Sequence, residues 1–113
     1  MNTILLHDNY GINADGHFTV CGHDTTVLAE KYGTPLYVLD EDKVRRMCKA
    51  YMGAVNKHFK KANILFASKA LSFVGIYRIA MEEGICTDIV SSGELYTAAL
   101  AGFPLERAFF HGN

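Results

Sequence analysis

Lys69 is the residue whose type and position most clearly predict chemistry. It follows the apolar run Ile64–Ala67 and the small residue Ser68. A short apolar run predicts a buried strand, so the lysine falls where that strand ends. A lysine amine in a partly desolvated site has a lowered pKa and reacts with aldehydes as a nucleophile. From position alone, the commoner explanation is a solvated lysine that simply follows a core strand.

Polar residues also lie at the ends of the other predicted strands. They are Asp40, Ser91, Ser92 and His111, and Asp88 lies two residues before the end of its strand. In parallel βα folds the functional groups gather at the carboxyl ends of the strands. The pattern therefore predicts one shared site at that edge of a sheet.

Other motifs give weaker signals. The amides of Ser92-Gly93-Glu94 could bind an anion at a helix start, although ordinary capping explains them more simply. The sequence contains neither GxGxxG after a strand, the dinucleotide-binding signature, nor GxxxxGK(S/T), the signature of nucleoside triphosphatases. The scattered histidines and the three cysteines lack ligand spacing, which argues against a zinc site or a disulfide framework and favours reduced thiols.

The elements that must position these residues alternate in type. Predicted strands at 36–39, 63–67, 85–90 and from 108 onward are separated by helical apolar stripes. Asp40 and Ser92 are predicted N-caps, and Gly84 and Gly102 are predicted helix ends. This alternation predicts parallel strands joined by crossover helices. The strands are continuously apolar, which predicts cover on both faces.

The first third of the chain differs from the rest. Phe18–Val20 is predicted as a lone strand, and Thr25–Tyr32 as a short helix with Asp24 as its cap and Gly33 as its end. The whole chain offers three βα pairs and one further strand, whereas a (β/α)8 barrel needs about 200 residues or more. We therefore expect a piece of a larger protein.

Four motifs, in order, resemble a known family. They are TPLYVLD from Thr34, FASKA from Phe66, TDIVSSGELYTAALAGFP from Thr87 and ERAFFHGN from Glu106. Together they resemble the N-terminal part of the fold-type III amino-acid decarboxylases, which depend on pyridoxal 5′-phosphate. The nearest branch is that of the diaminopimelate decarboxylases.

The resemblance implies a fold and a division of the chain. The fold class would be α/β, as the N-terminal fragment of a pyridoxal-phosphate-binding (β/α)8 TIM-type barrel. Residues 1–34 would be a strand and helix segment that contributes to a separate β-domain. Residues 35–113 would form the first three βα units and the fourth strand of the barrel, truncated there.

The resemblance also implies roles for site residues. Lys69 would form the Schiff base with the cofactor, and Asp88 on the next strand would orient it or pair with its charge. Ala67 would pack near the cofactor ring, and His111 and Asn113 would line the same mouth. Glu94 would either support the site or be an ordinary acid at a helix start.

The implied activity is decarboxylation of meso-2,6-diaminopimelate to L-lysine and carbon dioxide by a cytoplasmic homodimer. Leu71 departs from the usual residue in several branches, so an ornithine or arginine decarboxylase stays open. We expect the 113-residue chain alone to be inactive; a non-catalytic βα module that binds a partner or self-associates is the alternative. A net charge of −1 gives no case for nucleic acid, and no apolar run approaches the roughly 20 residues of a membrane span.

Overall fold

The N-terminal part of the chain is a small antiparallel sheet followed by a helix. A computed structural model describes residues 8–112, and the chain divides into two compact units, residues 1–43 and 44–113. The first unit contains β1 (Tyr10–Ile12), β2 (Phe18–Val20), β3 (His23–Asp24) and α1 (Thr25–Tyr32), with the strands in the order β1-β2-β3. The predicted lone strand is therefore wrong in one respect, because β2 is the central strand of a sheet.

Polar contacts at Asp24 hold the start of α1. The Asp24 carboxylate accepts hydrogen bonds from Thr26 N at 2.8 Å and from Asn13 Nδ2 at 2.7 Å, and it contacts His17 Nδ1 at 2.8 Å. The helix ends at Gly33, which adopts a φ of 81° that glycine tolerates best. The predicted cap and the predicted end of α1 are both confirmed.

The segment 36–39 contradicts the sequence-based prediction of a strand. The residues form no ladder within the described part of the chain. Strand propensity reflects packing against neighbouring strands, so a β-favouring run without a partner is not a strand. The helix α2 (Glu41–Asn56) then begins at Asp40, whose Oδ1 accepts a hydrogen bond from Lys43 N at 2.9 Å. Asp40 is thus confirmed as a cap.

The second unit carries the parallel βα pattern. Its elements after α2 are β4 (Leu65–Ala67), a 3-10 turn (Ser68–Ala70), α3 (Val74–Glu82), β5 (Cys86–Ile89), α4 (Ser92–Leu100), a second 3-10 turn (Leu105–Arg107) and β6 (Ala108–Phe110). The strands lie in the order β4-β5-β6, and both ladders are parallel. A helix lies between each pair of consecutive parallel strands, as in a βα crossover, so the predicted α/β class is confirmed.

The core of this unit lies on one face of the sheet. Tyr77 and Ile79 of α3, Ala98 of α4, Ile89 of β5 and Phe103 are buried together. The rings of Tyr77 and Phe103 meet edge to face with centroids 6.2 Å apart. Across the helices, Arg45 of α2 contacts Glu82 at 2.6 Å and Glu83 at 2.9 Å in α3.

Burial of the strands corrects one prediction. Only β5 is largely buried, whereas Leu65 of β4 and Phe109 and Phe110 of β6 are exposed. The continuous apolar pattern predicted cover on both faces of every strand. In this parallel sheet the buried strand, β5, lies between two neighbours, whereas β4 and β6 have one neighbour each. Within residues 8–112 no helix is long and apolar enough to cross a membrane.

Candidate functional site

The carboxyl ends of the three parallel strands meet at one edge of the sheet. Ala67 of β4 pairs with Asp88 of β5, which pairs with Phe109 of β6. Beyond that row, His111 N donates a hydrogen bond to Ile89 O at 2.8 Å. The register places the end of β4, from which Lys69 follows, beside the strand that carries Asp88. The shared edge that the sequence predicted is therefore present.

The two faces of the sheet differ in cover. Side chains alternate along a strand, so Ala67, Asp88 and Phe109 share one face, while Phe66 and Ile89 point to the other. Phe66 and Ile89 belong to the helix-packed core. The face that carries Asp88 is thus the one turned away from the helices, and Ala67 and Phe109 on it are exposed.

Lys69 lies in the 3-10 turn immediately after β4, and its side chain is exposed. Within residues 8–112 its amine makes no ion pair and no side-chain hydrogen bond. Asp88 is not its partner in this structure. An amine that no acid holds is available to a ligand at the strand ends.

Asp88 carries a buried polar atom without a partner. Its Oδ1 is inaccessible to solvent and accepts no hydrogen bond within the described structure. An unpaired buried oxygen costs free energy, and such atoms are uncommon in folded proteins. Directly beside the lysine turn, this oxygen is an acceptor suited to a ligand that brings a donor or a positive charge.

Ser68 and Glu94 form a buried polar link behind the lysine. Ser68 is fully buried, and its Oγ lies 2.6 Å from Asp88 O and 3.2 Å from Glu94 Oε1. The other oxygen of Glu94 accepts hydrogen bonds from Val90 N and from Ser91 Oγ, each at 2.9 Å. One carboxylate therefore connects the end of β5, the start of α4 and the residue before Lys69.

These contacts set the charge state of Glu94. Burial alone raises the pKa of its carboxyl, but hydrogen bonds from Val90 N, Ser91 and Ser68 outweigh burial. The net effect is a pKa below the ordinary value for glutamate, so Glu94 is an anion at neutral pH.

Sequence reasoning only partly found this link. The Ser-x-x-Glu spacing of Ser91 and Glu94 is a capping-box signal and could have identified the acid. The predicted cap Ser92 is wrong by one residue, since Ser91 Oγ is the acceptor for Glu94 N at 3.2 Å. No local signal marks Ser68, because its partners lie 20 and 26 residues further along the chain.

The other predicted site residues occupy different positions. Ala67 is exposed opposite Asp88, which leaves room on the open face for a flat ring. His111 is exposed at the end of β6. Asn113 lies outside the described residues. The roles assigned to Lys69 and to these residues stay predictions.

Comparison with known protein families decides the class of this site. Residues 41–113 match the family model described as pyridoxal-dependent decarboxylase, pyridoxal binding domain. The chain belongs to this family. Membership confirms the predicted decarboxylase family and its pyridoxal cofactor.

Individual relatives of this pyridoxal-dependent decarboxylase domain agree with one another. The chain is 48% identical over 110 residues to diaminopimelate decarboxylase of Bacillus subtilis. The aligned region covers 97% of this chain and 25% of that protein. It is 41% identical over 98 residues to diaminopimelate decarboxylase of Mycobacterium tuberculosis, covering 87% of this chain and 21% of that protein. The chain thus spans about a quarter of the length of these relatives or less.

A solved structure supports the fold of the domain. Diaminopimelate decarboxylase from M. jannaschii in complex with L-lysine matches with a TM-score of 0.77 and 37% identity, covering 94% of this chain and 25% of that one. The α/β architecture described above is therefore that of part of this enzyme fold, as the sequence predicted.

The site fits the cofactor that the family implies. Pyridoxal phosphate offers an aldehyde to an amine, and a neighbouring acid can balance positive charge at that amine. Lys69 supplies an amine without an ion pair, and Asp88 supplies a buried oxygen without a partner. Exposed Ala67 places no bulky side chain between them.

Proposed function

We propose that this chain supplies the lysine-bearing part of a pyridoxal-phosphate-dependent diaminopimelate decarboxylase. The reaction is removal of one carboxylate from meso-2,6-diaminopimelate, giving L-lysine and carbon dioxide. One observation carries the proposal. Lys69 follows β4, and its amine makes no ion pair with the described residues. The next strand carries the unpartnered Oδ1 of Asp88. The chain around them is 48% identical to such an enzyme over 110 residues.

Each residue has a role that its position allows. Lys69 would hold the cofactor through its aldehyde and would be released when the substrate amine takes its place. Pyridoxal phosphate, when bound, supplies the electron sink for loss of the carboxylate. Asp88 accepts a hydrogen bond or balances positive charge at the lysine end of the site, which satisfies its buried oxygen. Ala67 leaves space for the ring, and His111 at the end of β6 lies at the mouth of the site. The family resemblance assigns Asn113 to the same mouth.

The wider proposal includes partners and location. The substrate is a small amino acid, the complete enzyme acts as a homodimer in the cytoplasm, and neither nucleic acid nor a membrane takes part. Residues 1–34 contribute to a separate β-domain, and residues 35–113 belong to the barrel. The antiparallel ladders β1-β2 and β2-β3 support the first assignment, and the parallel ladders β4-β5 and β5-β6 support the second.

Reductive labelling tests the cofactor site. The protein is incubated with pyridoxal phosphate, reduced with borohydride and mapped by peptide analysis. We expect label to concentrate on Lys69 over the other six lysines. Lys69→Arg should abolish that label, and the matched variant Lys61→Arg should leave it unchanged. Label spread evenly over the lysines would instead support the non-catalytic module.

The substrate is tested separately. The reading frame beyond the codon for Asn113 is sequenced, and the complete product is assayed for carbon dioxide release. Diaminopimelate should be consumed in preference to ornithine and arginine. Preference for either of those amino acids would move the protein to another branch of the family, which the departure at Leu71 leaves open.

A further inference from the structure

We propose that the hydrogen-bonded pair Ser68 and Glu94 is a positioning device that fixes the turn bearing Lys69. The pair would hold the backbone on the amino side of the lysine so that its amine emerges over the end of β5. This inference rests on the proposed function, since Lys69 is taken as the residue that holds the cofactor.

Burial at Ser68 is the first support. Lys69 is exposed, yet the residue before it is fully buried and contacts two acceptors, Asp88 O and Glu94 Oε1. A serine hydroxyl has one proton, so both acceptors compete for it or share it. A buried group in that position has little freedom to move without leaving an oxygen unpaired.

Glu94 supplies the second support. It is 7% exposed, a level at which an acid is rarely found without compensating partners. Its partners are Val90 N and Ser91 Oγ at the end of β5 and Ser68 Oγ at the end of β4. The carboxylate therefore joins two neighbouring strand ends at the level of the site.

The turn is also held on its carboxyl side. Leu71 N donates to Ser68 O at 3.1 Å, and Ser72 Oγ lies 3.1 Å from the hydroxyl of fully buried Tyr77. Lys69 thus lies between two anchored residues, while its own amine makes no ion pair or hydrogen bond with residues 8–112. Small misplacements of a reacting group lower rates strongly, so an anchored backbone beneath a free amine suits a covalent attachment point.

The test compares variants that remove one link at a time. Ser68→Ala and Glu94→Ala remove the pair. Glu94→Gln keeps the shape, because its amide oxygen can accept from Val90 N and Ser91 Oγ while its amide nitrogen donates to Ser68 Oγ. Thr87→Val is the matched control, because Thr87 is also fully buried and its hydroxyl contacts Phe66 O at 3.2 Å and Asp88 O at 3.1 Å, but not Glu94. The readouts are the rate of reductive pyridoxal labelling at Lys69 and the fraction of label found there.

The expected results distinguish misplacement of the Lys69 turn from a general loss of folding stability. Ser68→Ala and Glu94→Ala should slow labelling of Lys69 on the order of tenfold or more and spread label to other lysines. Glu94→Gln should restore most of the rate. Thr87→Val should lose stability comparably to Ser68→Ala yet keep its label on Lys69.

Two results would overturn the inference. One is labelling of Lys69 in Ser68→Ala that is no slower than in Thr87→Val. The other is an equal loss in Glu94→Gln and Glu94→Ala, which would mean that charge and not geometry is required. If the unmodified protein shows no preference for Lys69, the proposed function itself fails, and that outcome is visible before any variant is compared.

Discussion

Different interactions stabilise the interior of each of the two compact units. Among the described residues 8–43, Thr19 is the only buried side chain, and α1 buries none of its residues. Hydrogen bonds around Asp24 hold the start of α1 in place. The unit from residue 44 onward buries a continuous apolar cluster around Tyr77 and Ile89.

The difference teaches where a reactive site can be built. A site needs side chains whose positions are fixed, and fixed positions come from packing and from fully paired buried polar groups. The second unit has a packed core and the paired buried groups Ser68 and Glu94 next to Lys69, and Asp88 Oδ1 is its one unpartnered buried oxygen among the described residues. The first has local polar contacts that are open to solvent, which give less rigidity.

The largest expected effect contrasts one tyrosine from each unit. Tyr77 is fully buried, whereas Tyr37 is fully exposed. Tyr77→Ala should lower the free energy of unfolding of its unit by about 3–5 kcal/mol, as for other large aromatic deletions in cores. Tyr37→Ala should change it by less than about 0.5 kcal/mol. Denaturant unfolding measures both, and equal effects would remove the contrast.

A smaller effect is expected at the cap of α4. Ser91→Ala removes the acceptor for Glu94 N and should destabilise the second unit by about 1 kcal/mol. The adjacent Ser92→Ala is the matched control and should lie within about 0.5 kcal/mol of the unmodified protein. Thermal unfolding distinguishes them. A greater loss of stability in Ser92→Ala than in Ser91→Ala would favour Ser92 as the cap, as the sequence predicted.

The smallest effect is confined to acid pH and to the first unit. Hydrogen bonds from Thr26 and the contact with His17 hold the pKa of Asp24 well below its ordinary value. A carboxyl with a lowered folded pKa stabilises the fold above its unfolded pKa, about 3.9, and loses that contribution as pH falls through the folded pKa. Acidification should therefore loosen the start of α1.

Amide chemical shifts of α1, followed from about pH 6 to about pH 1, measure this loosening. Asp24→Asn can still cap the helix but cannot titrate, so its profile should be flatter. Asp15→Asn, which changes an exposed acid in the turn between β1 and β2, should leave the profile as it was. Identical profiles in the unmodified protein and Asp24→Asn would argue against the prediction.

Much of the second unit could be predicted because its signals are local. Apolar runs located β4, β5 and β6, and Gly102, with a φ of 78°, marked the end of α4 as expected. The alternation of strand and helix then predicted the parallel sheet and placed Lys69 and Asp88 at adjoining strands.

Most of the failures depend on distant partners, whereas the cap predicted at Ser92 instead of Ser91 is a local error of one residue. Residues 36–39 have strand propensity but no ladder, and Phe18–Val20 gained neighbours that its own sequence did not reveal. The Ser68–Glu94 link spans 26 residues, so no local pattern encodes it. The same applies to Asp88 Oδ1, whose missing partner is visible only in three dimensions.

The register of the parallel sheet bears on how this unit forms. Ala67 pairs with Asp88, and Asp88 with Phe109, so each ladder closes after the same interval of 88 − 67 = 109 − 88 = 21 residues. Closure entropy depends only on the logarithm of loop length, and folding rates fall as contacting residues lie further apart in sequence. Neither ladder therefore has to wait for a distant part of the chain. We expect the sheet to grow strand by strand during synthesis, each crossover helix being complete before the next strand is translated.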